Sequence, residues 1–243
     1  MYREWAPPPE LRHSVACLWE RASDPEHGET VRVLPDACTD VMWIDGELQV
    51  AGPDTTAQFA ALPPGSSILG VRFRTGAGTP LLGVDASELT DQRVDLDELW
   101  GRESERLRDR LASTRSAEAA AKVMCRTVTE LTDRSGGTDP IVDAAVRLTG
   151  HPDAPPLQHI AHELGVSERQ LRRRAHVALG YGLKTLERIL RFQRFLTLAR
   201  ATAPGRLAIT AAEAGYADQA HLARECRGLA GLSPTALLAD RQA

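Results

Sequence analysis

The chain has 243 residues, 42% hydrophobic and 26% charged, with a formal net charge of −4. This is the composition of an ordinary globular protein of one large or two smaller domains. No apolar run approaches the length of about eighteen residues that a membrane-spanning helix needs. The amino-terminal MYREWAPPPELRHS has no apolar signal core, so the chain is expected in the cytoplasm and away from membranes.

Charge is unevenly placed. Residues 151–243 hold 13 Lys and Arg against 8 Asp and Glu, a net +5, and residues 1–150 hold 16 against 25, a net −9. A basic module fused to an acidic domain of different purpose would give this split. The four cysteines, Cys17, Cys38, Cys125 and Cys226, are scattered with no CxxC spacing. They read as free thiols, not as a disulfide framework or a zinc site.

Residues 1–100 read as strand-rich. Val31–Leu34, Val41–Ile44, Leu48–Ala51 and Ile68–Phe73 are short apolar or alternating runs bounded by Pro, Gly and Asp. Asp45-Gly46 between VMWI and ELQV predicts a hairpin, because a type I′ turn needs positive φ at both central residues. In GVRFR, alternation puts Val71 and Phe73 on one face and Arg72 and Arg74 on the other. Short strands with intervening turns suggest a small barrel or sandwich.

From Asp95 the pattern turns helical: a short helix over Asp95–Trp100, an amphipathic one near Glu103–Leu111 and a longer one over Ser116–Asp133. Ser135-Gly136-Gly137 breaks the last. Asp139 then caps a helix with Pro140 at its first position and an Ile141, Ala145, Leu148 stripe. Gly150-His151-Pro152 and Pro155-Pro156 form the clearest linker. The boundary is placed there, although the helix from Asp139 could pack on either side.

Two similar patterns follow, LQHIAHELGVSERQLRRR (Leu157–Arg174) and LAITAAEAGYADQAHLARECR (Leu207–Arg227). Each is an apolar-periodic helix, a Gly-centred turn and a second helix that starts at a capping residue. Pairs of this kind insert their second helix into a DNA major groove. Ser167 and Gln170 form a capping box, with Val166 and Leu171 at hydrophobic-staple positions. Leu171 and Ala175 face inward, whereas Arg169, Arg172, Arg173 and His176 share one outward face. Arginine there can bond guanine bidentately or hold phosphate. Between the motifs, LKTLERILRFQRFLTLAR (Leu183–Arg200) reads as one long helix, apolar at Leu186, Ile189, Leu190, Phe192, Leu196 and Ala199. Asp218 caps the second reading helix, with Leu222 and Cys226 inward and Gln219, His221, Arg224 and Arg227 as its polar candidates. Aligning Ser167 with Asp218 sets Arg173 opposite Arg224 but Arg169 and Arg172 opposite Ala220 and Ala223. The first helix is therefore expected to do more base reading and the second more positioning.

On GVSERQLRRR, the long middle helix, EAGYADQAHLARECR and the terminal GLSP, the region Leu157–Arg241 resembles the DNA-binding domain of the AraC/XylS family of bacterial transcription regulators. The resemblance implies that Arg169, Arg172 and Arg173 of the first helix, and Gln219, His221 and Arg224 of the second, face DNA. The chain departs from the family pattern at Ala175, Leu222 and Cys226, where Phe is usual, and at Gly228, where Lys is usual. Smaller residues there imply a looser core and one fewer phosphate contact. RVLPDACTDVMW, VAGPD and GVRFRTGAGTPLLGV resemble a poorly characterised amino-terminal domain found in this family, and in the wider family such domains sense a small molecule or dimerise.

Rival readings are weaker. A cupin-type metal enzyme needs several converging His and carboxylate ligands, and residues 1–150 offer only His13 and His27. His159 and His162 lie on an exposed helix. Cys38 sits between aspartates in PDACTD, which weakens a thiolate. Trp19, Trp43 and Arg72 could line a ligand pocket, but core tryptophans and a surface-paired arginine are the plainer expectation.

The sequence thus predicts an α+β chain. A β-rich sensor or dimerisation domain covers 1–100 and a helical linker 101–150. An all-α domain with two helix-turn-helix motifs joined by a long helix covers 151–243. Double-stranded DNA, a small-molecule effector, RNA polymerase and a second copy of the chain are the expected partners. No enzyme activity, cofactor or metal is expected.

Overall fold

The computed structural model of the protein describes residues 1–135, 137–202 and 205–240. Gly136 of the anticipated helix break and Arg241 at the end of the region of resemblance lie outside them.

Eight strands build the amino-terminal domain: β1 (Tyr2–Trp5), β2 (Val15–Ala22), β3 (Glu29–Val33), β4 (Thr39–Ile44), β5 (Glu47–Ala51), β6 (Gln58–Leu62), β7 (Ser67–Phe73) and β8 (Arg93–Asp95). Six form an antiparallel sheet in the order β1-β2-β7-β4-β5-β8, and β3 and β6 pair as a separate ribbon. The edge strands of the sheet do not pair with each other, so among the described residues there is no closed barrel. Asp45 (φ 48°) and Gly46 (φ 101°) turn β4 into β5 as a hairpin.

The alternation in β7 sorts the two faces. Val71 and Phe73 are fully buried with Leu18, Val41 and Leu48 under helices. Those helices are α1 (Thr79–Leu82), α2 (Ala86–Leu89), α3 (Leu96–Trp100), α4 (Arg102–Ala112) and α5 (Ala117–Ser135). On the opposite face Trp19, Met42 and Ile68 pack against Val31 and Leu62 of the ribbon. Gly70 is the residue that admits Trp19, because a Cβ there would stand 2.2 Å from the indole.

The carboxy-terminal domain comprises α6 (Pro140–Thr149), α7 (Leu157–Glu163), α8 (Glu168–Leu179), α9 (Leu183–Ala201), α10 (Leu207–Glu213), α11 (Gln219–Ala230) and α12 (Pro234–Ala239). Asp139 caps α6 through the amides of Ile141 and Val142. Val142 and Ala145 of α6 join the core of this domain, which decides the side on which that helix packs. The long helix α9 runs through the centre. Leu186, Ile189, Phe192, Phe195 and Leu196 on it are buried, at roughly 1.5–3 kcal/mol of hydrophobic stabilisation per side chain. Phe195 extends the expected apolar side, and Leu190 and Ala199 are only partly buried. The arc is wide because α9 packs against α6 as well as against α10 and α11 of the second motif.

Candidate nucleic-acid interface

The two helix-turn-helix units repeat one backbone design. In the first turn Val166 N–H donates to Ala161 O and Gly165 N–H to His162 O; in the second Tyr216 N–H donates to Ala211 O and Gly215 N–H to Ala212 O. These bonds satisfy the orphan carbonyls at the ends of α7 and α10. The units differ by one residue. Ser167 follows Val166 directly as the cap of α8, whereas Ala217 intervenes between Tyr216 and the cap Asp218.

Ser167 closes the expected capping box. Its Oγ accepts from the Gln170 amide at 3.3 Å, and Gln170 Oε1 accepts from the Ser167 amide at 2.9 Å. Leu171, Ala175 and Leu179 are buried, so the helix is rolled to present its opposite side. Arg169, Arg172, Arg173 and His176 are all exposed on that side. Arg172 pairs with Glu168 at 2.9 Å, an exposed contact of little strength. Among the described residues Arg169 and Arg173 make no ion pair. Arg174, one step round the helix, turns back to Asp139 and ties α8 to the start of α6.

On α11, Asp218 accepts from the His221 amide at 2.6 Å, and Leu222 and Cys226 are fully buried. Gln219 and Arg224 are exposed. His221 is half-buried, its ring edge-on to Tyr216 with centroids 5.2 Å apart. The geometry brings Arg169, Arg172 and Arg173 to one face of α8. It leaves Arg224 as the exposed cation at the equivalent place on α11, with Gln219 at the helix start and His221 half turned into the turn.

Three arginines of α9 add to this site without belonging to either motif. Arg188 Nε pairs with Glu225 of α11 at 3.0 Å, the Arg191 guanidinium lies 5.7 Å from the Tyr216 ring centroid, and Arg194 donates to Ala214 O at 3.2 Å and to Gly150 O at 2.6 Å. They recur every three residues along the helix, which is the signal that could have revealed them. All three hold the second unit from behind.

The amino-terminal domain contains a polar cluster on the ribbon side of its sheet. Arg72 lies 3.2 Å from Asp40, 3.4 Å from Asp36 and 3.9 Å from Glu4, and Trp19 Nε1 donates to Asp40 at 2.6 Å. Burial pushes the Asp40 carboxyl up to about 6, against the pull of Arg72. Trp43 packs on the other face of the sheet, so Trp19, Trp43 and Arg72 do not converge on one pocket. Burial raises the Cys38 thiol well above its ordinary value, and Asp36 and Asp40 raise it further. Burial likewise carries Cys17 to about 11 and Cys226 to about 12. None of these three is a ready nucleophile.

A pair of capped helix-turn-helix units on one central helix, beside a β-rich domain, defines the class: a two-domain chain with a double helix-turn-helix carboxy-terminal domain. Residues 160–240 match the family model described as "Helix-turn-helix domain", and residues 3–95 match "Domain of unknown function (DUF6597)". No curated protein matches the sequence. The fold is similar to that of ToxT from Vibrio cholerae. An apo single-residue variant of ToxT from strain SCE256 is 12% identical, with 91% of this chain and 96% of that one covered at a TM-score of 0.50. ToxT from strain O395 is also 12% identical, with 90% and 95% covered at 0.49. Among the described residues no helix is long and apolar enough to cross a membrane.

Proposed function

We propose that the protein is a cytoplasmic, sequence-specific DNA-binding transcription regulator that inserts α8 and α11 into successive major grooves of double-stranded DNA. The observation that carries this reading is the exposed Arg169, Arg172 and Arg173 face on a capped helix whose opposite side is fully buried. The central helix, 19 residues long, spans about 28 Å. Successive grooves on one side of DNA lie about 34 Å apart, so the two units sit on a ruler of suitable length. Arg173 and Arg224 occupy equivalent places, and with Arg169, Arg172, Gln219 and His221 they are the DNA-facing set. Arginine contacts to phosphate would set affinity and register, and contacts to base edges would set sequence.

In the same reading residues 1–100 sense a small molecule or dimerise, residues 101–150 relay, and residues 151–243 read DNA, with α6 riding on the DNA-reading domain. RNA polymerase is the partner such a regulator would address. The chain catalyses no reaction and needs no cofactor. The test is to incubate the full-length protein with sheared host genomic DNA and sequence what it retains. A two-part motif about one helical turn apart is expected, with affinity that falls steeply as salt rises. A folded protein that retains no motif, with or without metabolite extract, refutes the reading.

A further inference from the structure

The last carbonyls of a helix have no partner within it, and they form the negative end of its dipole. In both reading helices some of these carbonyls are taken by the amino-terminal domain. Thr79 Oγ1, at the start of α1, donates to Ala178 O in the last turn of α8 at 3.1 Å. The Ala57 amide donates to Leu229 O at 2.7 Å, and Arg32 Nη1 donates to Ala230 O at 3.0 Å, both at the end of α11. Arg32 also pairs with Asp240 at 3.3 Å, and its guanidinium is steadied over the Phe59 ring at 4.6 Å. A third contact joins the amino-terminal domain to the central helix. The Gln193 side chain of α9 donates to Pro35 O at 2.6 Å, and Ala37, at φ 64°, is buried in the helical core.

The β-rich domain therefore grips the two reading helices by the ends opposite their caps. Their relative pose is fixed by two routes, one through α9 and one through the sheet and ribbon. We propose that Thr79 and Arg32 are positioning residues for DNA reading: they set the separation and rotation of α8 relative to α11, and hence the half-site spacing that the protein accepts. This rests on the DNA-reading function proposed above. Neither residue touches DNA in that reading. They act through the backbone of the helices that do.

The experiment uses the full-length chain with Thr79→Val and Arg32→Met combined. These changes remove the donors and keep much of the side-chain volume. Thr79→Ser, which keeps a hydroxyl, is the conservative control. The first readout needs no DNA. Spin labels at Gln158 on α7 and Glu213 on α10, in a Cys17→Ser, Cys38→Ser background, report the distance between the two units. Wild type should give one narrow distribution, the double variant a broad one, and Thr79→Ser the narrow one again.

The second readout is binding to the motif enriched from genomic DNA, with about two base pairs inserted between its halves, which turns one half about 70° round the axis. Wild type should lose about tenfold or more in affinity, and the double variant less than about threefold. A merely structural role would lower the unfolding midpoint and leave this spacing preference unchanged. A narrow distance distribution in the double variant overturns the positioning role whatever DNA does, and so does a spacing penalty equal to that of wild type. Wild type that selects no sequence, with a distance distribution that still broadens in the variant, refutes the DNA reading and upholds the grip.

Discussion

The two helix-turn-helix units have nearly the same backbone and different dependence on their surroundings. Both reading helices have 12 residues, both are capped by a side chain, and both end in a left-handed glycine, Gly180 at φ 82° and Gly231 at φ 71°. In the first unit the outward face carries the arginines, and the helix end is wedged into the amino-terminal domain. In the second, alanines stand where Arg169 and Arg172 would be, and three arginines of α9 support it from behind. Matching helices and caps fix what each unit is. The side chains around them decide what each unit can touch and what holds it, so a pair of equivalent substitutions should have unequal effects.

The largest inequality is expected at the two terminal glycines. A Cβ on Gly180 would stand 2.1 Å from Thr90 Oγ1 and 2.9 Å from Ala86 O, whereas one on Gly231 meets only the Arg32 guanidinium at 3.7 Å. Gly231→Ala should therefore cost only the left-handed strain, about 1 kcal/mol. Gly180→Ala adds a clash with the half-buried Thr90 side chain and a backbone carbonyl and should cost about 3 kcal/mol or more. Denaturant unfolding of both variants measures the difference. Equal costs would mean that the first unit is not wedged as the structure has it.

Next comes the pair Arg173→Ala and Arg224→Ala, which remove equivalent outward cations. Arg173 stands beside two further arginines and Arg224 beside alanines. Loss of Arg173 should lower affinity for the cognate site by about 1–3 kcal/mol and relax the choice of base. Loss of Arg224 should weaken binding evenly across sequences and flatten its salt dependence. Titrations against the enriched motif and a scrambled duplex at two salt concentrations separate these outcomes. A sequence-selective loss at Arg224 and a uniform one at Arg173 would reverse the assigned roles of the two units.

The carboxy-terminal domain was the more legible half of the chain. Its helices are long enough to show their period, and Ser167, Asp218 and Asp139 mark their starts, so the elements and the outward arginine face follow from spacing. The sheet was only half legible. A bulge between Val15 and Cys17 breaks the alternation of β2. Gln58–Leu62 is alanine-rich, and the helices at Thr79–Leu82 and Ala86–Leu89 are too short to show a period. Trp43 has the opposite strand parity to Asp40, three residues earlier on β4, and only strand register shows that it leaves the Trp19–Arg72 face. The contacts of Thr79, Arg32 and Pro35 with the helical domain join residues about 100 to 200 positions apart, and no local pattern encodes such pairings.

The smallest inequality should lie at the caps, and its sign can be argued. Ser167→Ala removes the oxygen that accepts from the Gln170 amide, but Gln170 Oε1 can still accept from the amide of residue 167. Half of the box survives, so the cost should be near the usual 1 kcal/mol for a lost cap. Asp218→Ala also removes one acceptor, from the His221 amide, together with a negative charge at the positive end of the α11 dipole. It should cost a few tenths of a kcal/mol more, and that excess should shrink as salt rises. Asp218→Asn keeps the acceptor without the charge, so it should lose only the salt-sensitive part. Urea unfolding of the three variants at low and high ionic strength measures each contribution. If Ser167→Ala proves the costlier change at both, the Gln170 bond does not outlast the loss of the Ser167 hydroxyl, and the entry angle of the first reading helix depends on the whole capping box.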